Sequence, residues 1–411
     1  LAQLLFGYDG FKTVNQDLLD VNFGFPVQSR TAKGVPQTNN ATLVAISRME
    51  YKNSNKIMGV KFCNLLLKHK ELSKLKTFTQ KFLEVCYPDG KIHCSFNPVG
   101  TDSGRISCNS PNLMQIPNAG EDDRYNIRSL FVGDLDEYDQ EDIISCDYSN
   151  LEVRVMAHFS KDEGLLNAFE HKVDLHGNTA KLMFRLDCDA NEVKKKYPKF
   201  RQMGKVIAFL LQYGGSVMAL ESTLNSNGML TEMLQELKGY KHKKDLPDTL
   251  APFWGCKSTK EMAQSLMDLY FEAFPGIAKF MKRQKKYAHQ HGKVYTVLGR
   301  ERRLPQIQSS NFREVGYAER LALNAPIQGS GADIMINAQI NIARSERLKE
   351  LGCKMLVQIH DELLFSCPKE NCDEAIKEIR ECMIYPFGRD KLLNLALDIG
   401  SAHGSSYACG H

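Results

Sequence analysis

The stretch Ile143-Ile-Ser-Cys-Asp-Tyr-Ser-Asn-Leu-Glu-Val-Arg154 constrains the fold most, because a short apolar run stops at a carboxylate where a helical pattern starts. Ile143, Ile144 and Cys146 read as a buried strand. Ser149, with Glu152 three residues on, matches the serine-to-glutamate capping box that opens helices. Asp147 therefore belongs at a strand end. That position is rigid and open to solvent, which suits an acid that holds a divalent cation beside a substrate. A second stretch, Met355-Leu-Val-Gln-Ile-His-Asp-Glu-Leu-Leu-Phe365, reads as a hairpin of two short strands around a polar tip of His360, Asp361 and Glu362. If the two strand ends are neighbours, Asp147 and Asp361 form a carboxylate pair able to bridge two magnesium ions for in-line phosphoryl transfer. Taken singly, either aspartate reads as a solvated turn residue.

The chain has 411 residues, enough for two or three subdomains around a large core. An apolar share of 43% with 25% charged residues is that of an ordinary globular protein, and no apolar run approaches the roughly 18 residues a membrane span needs. No membrane association is expected. The chain starts at Leu1, with no methionine and no signal-like segment, so a fragment or processed form is expected. The twelve cysteines are scattered and show no closely paired zinc spacing, which predicts reduced thiols in an intracellular protein. A net charge of +4 is too small to argue for a polyanion partner, so local patches must carry that argument.

Residues 1–90 alternate turn signals such as Gly24-Phe-Pro26 and Gly34-Val-Pro36 with helical patterns, and Lys61, Lys68, Lys70, Lys74, Lys76 and Lys81 lie in one basic run. Such a run can grip a phosphate backbone, although a solvated helix face is its more frequent meaning. A strand over Lys91 to Phe96 is expected to lead into Thr101-Asp-Ser-Gly-Arg-Ile-Ser107. There a glycine turn would hold Arg105 for a phosphate, a minor-groove acceptor or a surface ion pair. Helical patterns dominate residues 155–345, interrupted at Tyr197-Pro198, at Gly214-Gly215 and by polar material from Asn225 to Lys260.

Arg201, Lys205, Phe209 and Tyr213 recur every four residues and so share one face of a predicted helix. Two cations followed by two aromatics offer charge to phosphates and then flat surface to a sugar and base. An amphipathic helix with core aromatics fits that stripe equally well.

Together these stretches resemble the family A DNA polymerases. The resemblance rests on Asp147-Tyr-Ser-Asn-Leu-Glu-Val-Arg154, on the Arg201 to Gly214 helix and on Gln358-Ile-His-Asp-Glu362. It is extended by Thr101 to Pro117, Asp174 to Ala180, Phe271 to Pro275, Gly299 to Pro305 and Ala318 to Ser330, all in family order. It implies an α+β right-hand fold with an antiparallel palm sheet, helical fingers and a partial helical thumb. The expected division is thumb 1–85, palm 86–154, fingers and adjoining helices 155–350, and a second palm segment 351–411.

The resemblance also implies template-directed addition of deoxynucleotides to a primer 3′-hydroxyl with release of pyrophosphate. Asp147, Asp361 and the Tyr148 carbonyl would hold two magnesium ions. Arg201, Lys205 and His176 would bind the triphosphate, with Lys205 as general acid. Phe209 and Tyr213 would pack the sugar and nascent base pair. Arg105, Asn324, Gln328, His360 and Glu362 would touch the duplex. Without the resemblance, Asn324 and Gln328 would read as turn or cap residues beside Pro326 and Gly329. A monomer acting on primer-template DNA and dNTPs is expected, with any processivity factor unassigned. Glu152 would exclude a ribose 2′-hydroxyl, which argues against the rival reading as a single-subunit RNA polymerase. Retention of both aspartates and both cations argues against a silent DNA-binding subunit. The chain departs from common family residues at Gln202, Ala208 and Leu210, and in the length of 225–260.

Overall fold

An interior strand, Asp142–Tyr148, holds the apolar run, and every residue of it except Asp147 is buried. It lies in a four-stranded sheet whose order is Lys354–Ile359, Glu362–Cys367, Asp142–Tyr148, Ile399–Gly404, with every pairing antiparallel. The expected hairpin is present, its two strands joined through His360 and Asp361. A strand this apolar needs cover on both faces. On one face lies the helix Cys372–Ile384, which buries Cys372, Ala375, Ile379 and Met383. The Tyr148 hydroxyl donates to the Met383 carbonyl at 2.7 Å and ties strand to helix. The other face is closed by the short turn Tyr407–Gly410, where the Cys409 thiol lies 3.4 Å from the Ile143 carbonyl.

The structure, a computed structural model, describes residues 1–7, 22–27, 30–31, 33–47, 53–117, 126–134, 141–226, 228–389, 393 and 396–410. Contacts divide the chain into two compact units. The first comprises 1–77, 184–186 and 215–268, with a core of Leu5, Phe23, Phe25, Leu43, Ile46 and Cys63. Most of the basic run lies here, on the helix Ser54–Val85, and its Lys61, Lys68, Lys74 and Lys76 are exposed. The stretch from Asn225 to Lys260, read from sequence as polar interruption, contains the helix Met229–Lys238. Its Leu230, Met233, Leu234 and Leu237 are buried at helical spacing, because an apolar stripe needs only one residue in three or four.

The second unit comprises 78–183, 187–214 and 269–411 and contains the sheet. Its longest element is the helix Phe312–Arg344, which runs straight through Pro326. Asn324 and Gln328 are therefore helix-interior residues rather than turn residues. A proline inside a helix costs about 3 kcal/mol in isolation. Here the segment around it is buried, and the Ser330 hydroxyl donates to the Pro326 carbonyl at 2.5 Å while accepting from the Val297 amide at 2.8 Å. The lost bond is the one the Ala322 carbonyl would accept, so it is burial of the segment that holds the helix together here.

The helix Pro198–Gln212 packs on Leu175–Phe184 at Gly204. A Cβ on Gly204 would stand 2.9 Å from the His176 carbonyl oxygen and 3.0 Å from the Ala180 nitrogen, both backbone atoms. Gly204→Val should push the two helices apart and lower stability by about 1–3 kcal/mol. Urea unfolding should show a lower midpoint at unchanged slope; an unchanged midpoint would show that the helices do not meet there.

Candidate active site

The sheet brings Asp147 and Asp361 together. Asp147 pairs in register with Glu362, and the next amide along the strand, that of Tyr148, donates to the Asp361 carbonyl at 3.2 Å. Two residues with left-handed backbone flank the pair: Asn150 at φ 56° and His360 at φ 57°. Such conformations cost energy in residues other than glycine, and they persist where the surroundings over-determine them. For His360 the Gln358 side chain supplies part of that constraint, donating to the His360 carbonyl at 2.7 Å.

Burial, then the charges of Asp361 and Glu362, push Asp147 up to about 7, against opposing influence from Arg128. Asp361 is raised as well, chiefly by burial, with Arg105 and His360 acting the other way. Carboxylate oxygens gathered under mutual repulsion suit a hard divalent cation, which neutralises charge that the protein itself leaves in excess.

Glu362 takes a different place from the duplex contact expected of it. It is 5% exposed; its two oxygens accept from the Ser145 hydroxyl at 2.6 Å and the Tyr407 hydroxyl at 2.7 Å. Strand alternation explains this, since Glu362 shares the inward face of Ser145 beneath the Tyr407–Gly410 turn. Tyr407 also lies under Arg128, whose guanidinium carbon is 4.4 Å from the ring centroid. Ser145, Tyr407 and Arg128 were not singled out from the sequence. They lie far apart along the chain, and only the sheet makes them neighbours.

The predicted capping box does not form either. The helix Leu151–Ser160 has Asn150 as its N-cap without a side-chain bond, and Glu152 pairs instead with Arg105. A charge-assisted bond to a guanidinium is roughly twice as strong as a neutral one, so the ion pair wins over the cap. Burial raises the pKa of Glu152, with Arg105 opposing and Asp361 adding to the rise.

Arg105 is held in place by its loop. Arg300 donates to the Ser103 carbonyl at 2.9 Å, to the Gly329 carbonyl at 3.0 Å and to Asp333 at 2.9 Å. Gly104, at φ 84°, leaves room for this, since a Cβ there would come within 2.6 Å of the Arg300 guanidinium. The expected glycine turn is confirmed, with the Gly104 amide donating to the Thr101 carbonyl at 3.1 Å.

On Pro198–Gln212, Lys205 and Phe209 are exposed, Phe209 by 59%, while Arg201 and Tyr213 are half-buried. The Phe209 and Tyr213 rings meet edge to face at 5.3 Å. Arg201 donates to Asp174 from Nε at 2.5 Å and from Nη2 at 3.1 Å. Burial disfavours ionisation of Asp174, but bonds from Arg201 and the Gly177 amide outweigh it and its pKa is lowered. His176 is lowered by burial, then by Arg201 and Lys205, with Asp174 opposing. Among the described residues its buried Nδ1 has no hydrogen-bond partner. The stripe is therefore a cationic face with an aromatic end, and Asp174 is the orienting acid. The buried Asn324 side-chain oxygen has no partner among the described residues, Gln328 is half-buried and His360 is exposed.

The model of DNA polymerase family A matches residues 12–408, and the chain belongs to that family. It is 31% identical to DNA polymerase I of Mycobacterium leprae over 394 residues, covering 95% of this chain and 38% of that protein. It is 36% identical to DNA polymerase I of Bacillus caldotenax over 324 residues, 78% of this chain and 32% of the relative. The chloroplastic DNA polymerase I A of Oryza sativa is 33% identical over 320 residues, 78% of this chain and 29% of the relative. The chain thus spans about a third of the length of these relatives. A solved structure, the POL domain of Pol1 from M. smegmatis in complex with DNA primer-template and dNTP, superposes with a TM-score of 0.75 at 31% identity. The match covers 94% of this chain and 59% of that one. The α+β right-hand polymerase fold follows. Among the described residues no helix is long and apolar enough to cross a membrane, and all twelve cysteines are free.

The raised Asp147 has a consequence for stability. The folded state keeps its proton up to about 7, whereas the unfolded chain releases it near the ordinary carboxyl value of about 4, so stability falls as pH rises through that window. In chelator, Asp147→Asn should be more stable than the parent at about pH 8, and the advantage should shrink as pH approaches about 5. Urea unfolding across that range checks it; a difference independent of pH would mean that Asp147 is not raised.

Proposed function

We propose that this chain is the polymerase region of a template-directed DNA polymerase of the replication and repair type. It would add deoxynucleotides to a primer 3′-hydroxyl with release of pyrophosphate. The observation that supports this best is the placing of Asp147 beside Asp361, where the Tyr148 amide meets the Asp361 carbonyl and burial, then the charges of Asp361 and Glu362, push Asp147 up to about 7. We retain the division into thumb 1–85, palm 86–154 and 351–411, and fingers 155–350.

Two magnesium ions held by Asp147, Asp361 and the Tyr148 carbonyl would supply Lewis-acid activation of the hydroxyl and neutralise the triphosphate. The chain's own groups do the rest. Arg201, oriented by Asp174, presents further guanidinium N–H donors to the phosphates. His176, uncharged beside two cations, adds an imidazole to the same phosphates. Lys205, exposed one turn further on, would protonate the departing pyrophosphate. Phe209 and Tyr213 offer flat surface to the sugar and nascent pair. Glu152, pinned by Arg105, occupies the space a 2′-hydroxyl would need. Arg105, Asn324, Gln328 and His360 can donate to minor-groove acceptors, which every base pair presents. The enzyme would act as a monomer on primer-template DNA.

Primer extension tests the assignment. Asp361→Ala should abolish extension while leaving primer-template affinity intact, because duplex contacts lie mainly on the backbone. Lys205→Ala should lose at least about 100-fold in turnover. Near-normal extension by Asp361→Ala, or an equal loss of DNA affinity in Lys205→Ala, would overturn it.

Glu152→Ala separates the gate from a purely structural ion pair. Insertion of ribonucleotides relative to deoxyribonucleotides, compared as specificity constants, should rise. An unchanged ratio accompanied by lower stability would leave Glu152 only as the anchor of Arg105.

A further inference from the structure

The strand that presents Asp147 carries a second acid, Asp142, at its other end. They are five positions apart, about 17 Å of extended chain, and the odd spacing puts them on opposite faces. The face of Asp142 is the one covered by the helix Cys372–Ile384. Asp142 pairs in register with Cys367, and Ile144 on the same face pairs with His403 of the edge strand Ile399–Gly404. Cys372, the first residue of the covering helix, brings its thiol to the same spot.

The ligand atoms of Asp142, Cys372 and His403 all lie within 4.8 Å of one another. His403 Nδ1 is 2.9 Å from Asp142 Oδ2, and its Nε2 is 3.7 Å from Asp373 Oδ1. The Cys372 thiol faces the Pro368 carbonyl at 3.4 Å and the Cys367 carbonyl at 3.8 Å. Asp142 and Cys372 are buried while His403 reaches the surface, which leaves an entry path on the imidazole side.

We propose that Asp142, Cys372 and His403 form a metal site, separate from the Asp147–Asp361 pair, that takes a divalent ion of the zinc class. One sulfur, one nitrogen and one oxygen donor are the mixed set such ions accept, whereas magnesium and calcium require oxygen shells. Bond lengths of about 2.0–2.3 Å to zinc place tetrahedral donors roughly 3.3–3.8 Å apart, so the widest donor pair closes by at most about 1 Å while His403 Nδ1 and Asp142 Oδ2, now 2.9 Å apart, open by about 0.4 Å. The ion takes the position between His403 and Asp142 now bridged by a hydrogen bond, and the thiol proton leaves to solvent. Water or Asp373 completes the fourth position. The bound ion clamps the start of the interior strand, the edge strand and the start of the covering helix, so its role is to hold the sheet.

Cobalt(II) titration of the full chain, stripped of metal and kept reduced with a phosphine, tests this. One equivalent should produce a sulfur-to-cobalt charge-transfer band with tetrahedral visible bands, and zinc should displace it. Cys372→Ser should remove the charge-transfer band. His403→Ala, at a surface-reaching position whose folding circular dichroism can verify, should weaken cobalt binding at least about tenfold. Asp147→Asn should leave the spectrum intact. Absence of the band in the parent chain, its survival in Cys372→Ser, unchanged affinity in His403→Ala, or its loss in Asp147→Asn would each overturn the proposal.

Discussion

The structure depends on two like charges being held together. Asp147 and Asp361 would separate if they were free to, and burial makes their repulsion stronger than it would be in water. They stay because backbone bonding gives them no choice. The interior strand is paired on both sides, and the Tyr148 amide reaches the Asp361 carbonyl at the hairpin tip. The left-handed backbone at Asn150 and His360 belongs to the same arrangement, since each turns the chain sharply beside an aspartate. The apolar faces of the sheet stabilise what the site itself disfavours.

Around that centre, several of the candidate side chains are fixed by neighbouring groups. Glu362, in register with Asp147 and bound by Ser145 and Tyr407, adds negative charge beside Asp147 from a buried position. Arg300 joins the 101–107 loop to the long helix at Gly329 and Asp333, so Arg105 and Gln328 are set by one knot of bonds. The absence of a side chain on Gly204 lets two helices approach until Arg201 and Asp174 can pair.

What the sequence made legible was local and periodic. Ile143, Ile144 and Cys146 announced a strand, Met355 to Phe365 a hairpin, and Arg201, Lys205, Phe209 and Tyr213 one helix face; the structure has all three, with Tyr213 as the C-cap of its helix. Local rules failed where a distant group offered a stronger bond. Glu152 abandoned the capping box for Arg105, forty-seven residues away. Asn324 and Gln328, which without the resemblance read as turn or cap residues beside Pro326, lie inside a helix that burial carries through the proline. The amphipathic stripe of Met229–Lys238 was hidden by the polar residues that outnumber it.

By itself, then, the sequence determined the elements and the chemical inventory: two aspartates at strand ends, a cationic stripe, and ordered motifs that resemble one family over most of the chain. Those are properties of neighbouring residues, and periodicity exposes them. Only the tertiary structure decided which distant groups share a space. It put Glu362 on Tyr407, Asp174 on Arg201, and Asp142 with Cys372 and His403 at the far end of the same strand. The physical reason is that strand register and helix approach are fixed by summed burial over many residues. No single stretch encodes them, and a one-residue slip would exchange the two faces on which these clusters sit.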